Sequence, residues 1–151
     1  LVDINPARKE LAGKLGVGFA SPDAAPKDCT LVVHASATAA GLATALTLAA
    51  FEATVLELSW YGDAQVPAPL GGAFHSQRLR LVSSQVGHVA PSHRAEWTHH
   101  RRLSEAVALL ADARLDALLA PAVPFRDLPA RLPDILAAKS GVLCQLITYG
   151  A

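Results

Sequence analysis

The segment from Cys29 to Leu58 restricts the fold more than any other part of the chain. Cys29-Thr30-Leu31-Val32-Val33 is a short, largely apolar run, the pattern of a strand buried on both faces of a parallel sheet. It runs into His34-Ala35-Ser36-Ala37-Thr38, a turn of small residues. The Ala- and Leu-rich stretch from Ala39 to Phe51 predicts a helix, and Thr54 to Leu58 predicts the next strand. Strands alternating with helices are the signature of a doubly wound parallel sheet.

The flanking segments extend the alternation. Leu1-Val2-Asp3 reads as a strand ending in an acid, and Asn5 and Pro6 stand where an N-cap and first helical turn are expected. That helix closes at Gly16. Gly16-Val17-Gly18 has the start of a glycine fingerprint, but no third glycine and no helix follow, so it reads as a helix stop before a short strand at Val17 to Phe19. Asp63 to Gly72, with Pro67 and Pro69, is a loop or an edge strand. Leu79 to Ser83 and Asp116 to Ala120 are further strands, and Val142 to Tyr149 closes the chain as another. Helices are predicted from His99 to Ala113, with Leu103, Val107, Leu110 and Ala111 at helical spacing, and from Leu128 to Lys139.

Length and composition exclude several classes. A chain of 151 residues is one ordinary domain, large enough to bury a core. Thirteen basic and 13 acidic residues cancel, so no global field draws the chain to nucleic acid or an anionic membrane. No apolar run approaches a membrane span, and no signal peptide is visible, which points to the cytoplasm. Cys29 and Cys144 are isolated within apolar runs and read as buried free thiols of a reducing compartment. The chain has no methionine and starts inside an apolar run, as expected of a sequence whose natural beginning lies upstream.

In an open parallel sheet, ligands bind beyond the carboxyl ends of the strands. Three such ends are readable: Asp3, then His34-Ala35-Ser36, then Ser59-Trp60. A strand-ending acid can accept from both hydroxyls of an adenosine ribose. In dinucleotide-binding sheets that acid ends the second strand, and the first strand with its glycine-rich turn precedes it by about twenty residues. Each end also fits an ordinary strand-to-helix turn without a ligand. The cluster His88, His93, His99 and His100, with Arg94, Arg101 and Arg102, reads as a solvated cationic surface rather than a metal site. No Gly-x-Ser-x-Gly elbow surrounds Ser36, Ser59, Ser83 or Ser84. His34 is expected to point away from Ser36, with no acid to orient it, so no serine is expected to act as a nucleophile.

The runs V-D-I-N-P-A-R (Val2 to Arg8), V-V-H-A-S-A (Val32 to Ala37), L-S-W-Y-G (Leu58 to Gly62) and R-L-R-L-V-S-S-Q-V-G (Arg78 to Gly87) resemble, in order and spacing, the zinc-binding alcohol dehydrogenase family of the medium-chain dehydrogenase/reductase superfamily. The L-S-W-Y-G and S-S-Q-V-G runs are similar to a bacterial branch that includes dehydrogenases of the bacteriochlorophyllide hydroxyethyl group. The resemblance implies a Rossmann-like α/β fold without its first strand and glycine-rich turn. Residues 1–115 would form part of the NAD-binding domain, and residues 116–151 would return toward a catalytic domain.

It further implies hydride transfer between an alcohol or carbonyl substrate and a nicotinamide cofactor, with homodimers joined near Val66 to Leu70. Asp3 would hold the adenosine ribose, flanked by Ile4 and Arg8. Ala35 and Ser36 would line the cofactor cleft, Ser59 and Trp60 would lie near the nicotinamide, and the backbone of Ser83 to Gln85 would face its carboxamide. Asp3 favours NAD over NADP, because a carboxylate there repels the added phosphate. The family's zinc ligands, proton relay and glycine fingerprint match no residues here, so no catalytic residue is assigned and residues 1–151 alone are expected to be inactive. His34 stands where the family often has an acid, Ala37 where it often has glycine, and Cys144 near an arginine of some members. The alternative reading is a non-catalytic Rossmann-like module used for binding or protein contacts.

Overall fold

The computed structural model describes residues 1–137 and 140–150. The chain divides into two compact units, one formed by Val2–Pro6 and Ala20–Arg101, the other by Leu1, Ala7–Phe19 and Arg102–Ala151. The regular elements are α1 (Arg8–Lys14), β1 (Cys29–His34), α2 (Ala39–Leu48), β2 (Ala49–Glu57), β3 (Arg80–Ser83), α3 (His99–Leu109), β4 (Leu119–Pro124), α4 (Leu128–Leu136) and β5 (Cys144–Thr148). The strands form two parallel sheets, ordered β1-β2-β3 and β4-β5. This is the predicted mixed α/β architecture with parallel strands.

In the first unit, α2 crosses from β1 to β2. Thr38 caps it, its hydroxyl accepting the Gly41 N–H at 3.0 Å. Leu42, Ala45 and Leu46 of α2 pack on Ala53 and Val55 of β2 and on Leu79. The helix stops three residues before the expected Phe51. Ala49 is already extended and pairs with Cys29, and the register then jumps so that Leu31 faces Thr54. Glu52, at φ 57°, takes up the extra residues of β2 in a left-handed kink.

β1 departs from the expectation of burial on both faces. Val32 packs against the core, whereas Leu31 and Val33 are 56% and 53% exposed. Successive side chains alternate across a sheet, so these two share the face that α2 does not cover. β1 is also an edge of its sheet among the described residues. Asp63 to Pro69 is irregular and leads into helical turns at Leu70–Phe74, so the proline-containing stretch is a loop.

The opening of the chain differs from expectation as well. Instead of two strands, Val2 and Ala20 make a single parallel bridge, with Asp3 N–H donating to the Ala20 carbonyl at 3.2 Å. The N-cap position of α1 is Ala7 rather than Asn5. The Asp3 carboxylate accepts the Asn5 N–H at 2.8 Å in a local turn, and the helix starts only at Arg8.

In the second unit, α1 ends as Gly16 predicts. Gly16 is left-handed at φ 74°, its N–H donates to Gly13, and the Val17 N–H donates to Ala12, a Schellman closure. β4 and β5 are parallel, with α4 between them in sequence. β4 begins three residues later than expected, because 3-10 turns occupy Ala113–Leu118. The predicted end of the last helix at Lys139 lies outside the described residues. Cys144 is exposed rather than buried, and Cys29 is half-buried; both thiols are free. Leu103, Val107 and Leu110, the predicted apolar stripe of α3, are all exposed.

Candidate functional site

The carboxyl ends of β1 and β2 carry a connected set of polar side chains. The parallel register places His34 opposite Glu57, and by strand alternation both share the face of Val32 and Val55, the one packed with α2 in the core. His34 is 5% exposed and the Glu57 side chain 13%, so the two meet in a site largely shielded from water. His34 Nδ1 lies 2.7 Å from Glu57 Oε2, and His34 Nε2 lies 2.7 Å from Ser36 Oγ. Ser36 Oγ is in turn 3.0 Å from the Thr38 hydroxyl, which tops α2.

Glu57 is held from further directions. Its Oε1 accepts the Ser59 N–H at 2.7 Å, and its Oε2 accepts the Tyr61 hydroxyl at 3.2 Å. Burial pushes the Glu57 carboxyl up, but hydrogen bonds from Ser59 and His34 outweigh it and hold the group below its ordinary value. Burial, together with the Glu57 charge it faces, raises the Tyr61 phenol. Every buried side-chain nitrogen and oxygen among the described residues has a partner.

Space for this cluster depends on Gly41. A Cβ there would fall 2.0 Å from Ser36 Oγ, 2.7 Å from His34 Nε2 and 2.9 Å from Thr38 Oγ1. The glycine in the first turn of α2 therefore lets three polar side chains converge on the helix N-terminus.

Several predicted residues meet at this end of the sheet. The Ala37 N–H donates to Ser59 Oγ at 3.0 Å, which ties the Ala35-Ser36 turn to the end of β2. Ser83 ends the neighbouring β3, and the Ser84 N–H donates to the Glu57 carbonyl at 2.9 Å. The Gln85 carboxamide closes a local turn onto the Gly87 N–H. Trp60 and Ile4 project into solvent, 89% and 87% exposed. Asp3 is half-buried in the same unit as His34. Arg8 lies in the other unit, where its Nη1 donates to the Gly141 carbonyl at 3.5 Å.

Sequence reasoning missed the Ser36–His34–Glu57 connection. Residues two apart in an extended segment share a face, so His34 and Ser36 do not diverge. The orienting acid comes from the next strand, and only the register reveals it. Two parallel strands ending in His34 and Glu57 were the available signal.

The histidine-rich segment is organised by Trp97. The Arg101 guanidinium sits 4.5 Å from the ring centroid, and His93 meets the ring edge-on. Among the described residues no three His, Cys, Asp or Glu side chains converge as metal ligands.

No protein-family model matches the sequence, and no curated protein matches it. Solved structures do match. L-idonate 5-dehydrogenase from Escherichia coli has a TM-score of 0.73 at 16% identity, over 98% of this chain and 42% of that one. A structure described as a short chain alcohol dehydrogenase from E. coli, complexed with NADH, has a TM-score of 0.70 at 15% identity, over 98% of this chain and 43% of that one. The yhdH oxidoreductase from Salmonella enterica, in complex with NADP, has a TM-score of 0.67 at 16% identity, over 99% of this chain and 46% of that one. This chain thus spans less than half the length of the structures it matches. The likeness establishes the fold, a Rossmann-like α/β arrangement built on parallel strands.

Proposed function

We propose that this chain is the nicotinamide-binding portion of an alcohol dehydrogenase-like oxidoreductase of the medium-chain family. The observation that carries the reading is the fold likeness to dehydrogenases over nearly the whole chain. The four sequence runs that resemble the family support it, and three of them end at the polar carboxyl edge of the sheet where such folds bind ligands.

The donor set fits part of a dinucleotide. Asp3 has a second carboxylate oxygen beyond the one that accepts the Asn5 N–H, and this oxygen would accept an adenosine ribose hydroxyl. Its charge repels the extra phosphate of NADP, which makes NAD the preferred cofactor. Ile4 flanks the ribose, and Arg8 is proposed there on sequence resemblance alone. Ala35 and Ser36 line the cleft, Ser59 and Trp60 stand near the nicotinamide, and the backbone of Ser83 to Gln85 faces the carboxamide. When bound, the nicotinamide supplies the hydride acceptor or donor for a small alcohol or carbonyl substrate. This chain's part is to bind and orient it.

Zinc does not fit the described residues, since no three ligands converge. Residues 1–151 by themselves are proposed to be inactive in alcohol oxidation. The protein is proposed to be cytoplasmic and dimeric. No described helix is long and apolar enough to cross a membrane.

The test is oxidation of a panel of primary, secondary and polyhydric alcohols by the full-length protein, with NAD or NADP and added zinc, followed by formation of reduced cofactor. Turnover with at least one alcohol is expected, faster with NAD. A folded protein that reduces neither cofactor with any of them would support the non-catalytic module instead.

A further inference from the structure

The Ser36–His34–Glu57 chain has an order that cofactor binding does not require. We propose that Ser36 is a nucleophile, with His34 as its general base and Glu57 as the group that positions the base, and that this edge of the sheet hydrolyses small carboxylic esters.

The geometry carries the argument. Ser36 Oγ is 2.7 Å from His34 Nε2, and His34 Nδ1 is 2.7 Å from Glu57 Oε2, both within reach for proton transfer. A carboxylate only accepts, so Glu57 selects the imidazole tautomer with its proton on Nδ1. Nε2 is then left with its lone pair toward the Ser36 hydroxyl. Glu57 is itself fixed by the Ser59 N–H and the Tyr61 hydroxyl.

The burial gradient suits the same chemistry. His34 and Glu57 are shielded from water, while Ser36 is exposed and open to a substrate. The contact of Ser36 Oγ with Gly41 sets the hydroxyl against the first turn of α2. Thr38 already uses the Gly41 N–H, and the preceding helix amides, of Ala39 and Ala40, have no partner within the helix. These are the donors for an oxyanion developing on a carbonyl attacked by Ser36.

The steps balance without a co-reactant other than water. Ser36 Oγ bonds to the ester carbonyl carbon as its proton passes to His34 Nε2. The carbon–oxygen bond to the alcohol then breaks, and the alcohol leaves with that proton. Water adds to the acyl-serine, giving a proton to His34. The carbon–Oγ bond breaks, Ser36 recovers the proton, and the carboxylic acid departs.

A fluorophosphonate probe, applied to the full-length protein without any nicotinamide cofactor, tests this independently of the dehydrogenase reading. Peptide mass spectrometry should place the phosphonyl group on Ser36, and p-nitrophenyl acetate should show a burst of p-nitrophenol. Ser36→Ala should abolish both. Glu57→Gln, nearly the same shape, should slow labelling by about 100-fold or more while circular dichroism stays unchanged, and Glu57→Asp should restore part of the rate. His34→Gln should slow it at least as much. A folded protein unlabelled at Ser36, labelling that survives Ser36→Ala, or a Glu57→Gln variant reacting at the parent rate would each overturn the proposal.

Discussion

Gly41→Ala separates the effect of helix propensity from that of the polar cluster. Replacing a helical glycine with alanine is ordinarily stabilising by roughly 0.5–1 kcal/mol. At Gly41 the new methyl would sit 2.0 Å from Ser36 Oγ and 2.7 Å from His34 Nε2, closer than a methyl carbon tolerates. Ser36 can rotate away, but His34 is held by Glu57 at 2.7 Å and cannot follow it. The buried Nε2 then loses its partner, at a cost of about 1–3 kcal/mol, and residual crowding adds about 1 kcal/mol or more. After the propensity gain is subtracted, the net destabilisation is on the order of 1–3 kcal/mol. Gly13→Ala is the control, because a Cβ there meets nothing within 4 Å, and it should stabilise by up to about 1 kcal/mol. Urea unfolding of the full-length protein, followed by circular dichroism, measures both. If Gly41→Ala proved as stabilising as Gly13→Ala, the convergence of Ser36, His34 and Thr38 on the helix start would be wrong.

Other outcomes follow from packing and charge. Leu46, 1% exposed at the centre of the α2 interface, should lose about 2–5 kcal/mol as Leu46→Ala, whereas Leu110→Ala on exposed surface should stay within about 0.5 kcal/mol, both read by chemical denaturation. The fold holds the Glu57 carboxyl below its ordinary 4.5, so its stabilising contribution is complete above that value and is lost as pH falls through the lower folded value. Thermal scans should therefore show the melting temperature dropping on acidification below about pH 4.5, with a shallower drop in Glu57→Gln. The proposed dimer should appear by sedimentation at micromolar concentration and weaken when charged residues replace Val66 and Leu70.

Much of the fold was legible because its signals are local. The apolar run at Cys29, the start of α2 at Ala39 and the stop at Gly16 act within a few residues, and each stands where the sequence put it. Boundaries set by pairing were not legible. Nothing in Ala49-Ala50-Phe51 distinguishes a last helical turn from a strand, and the choice is made by Cys29 on the neighbouring strand. Burial of Leu31 and Val33 was misjudged for the same reason, since composition cannot say which face of a sheet receives a helix. The candidate site followed this pattern. The strand ends were readable, but the Glu57–His34 contact depends on register between segments 23 residues apart.

The carboxyl edge of this sheet is proposed to serve a nicotinamide cofactor whose adenosine ribose rests on Asp3. Calorimetric titration of the full-length protein and its Asp3→Ala variant with NAD and with NADP tests it most directly. Saturable NAD binding, tighter than NADP binding, is expected in the parent. In Asp3→Ala, affinity for NAD should fall and the preference should shrink, because the ribose acceptor and its repulsive charge are removed together. Absence of saturable binding to a folded protein, or identical affinities for both cofactors before and after the substitution, would contradict it.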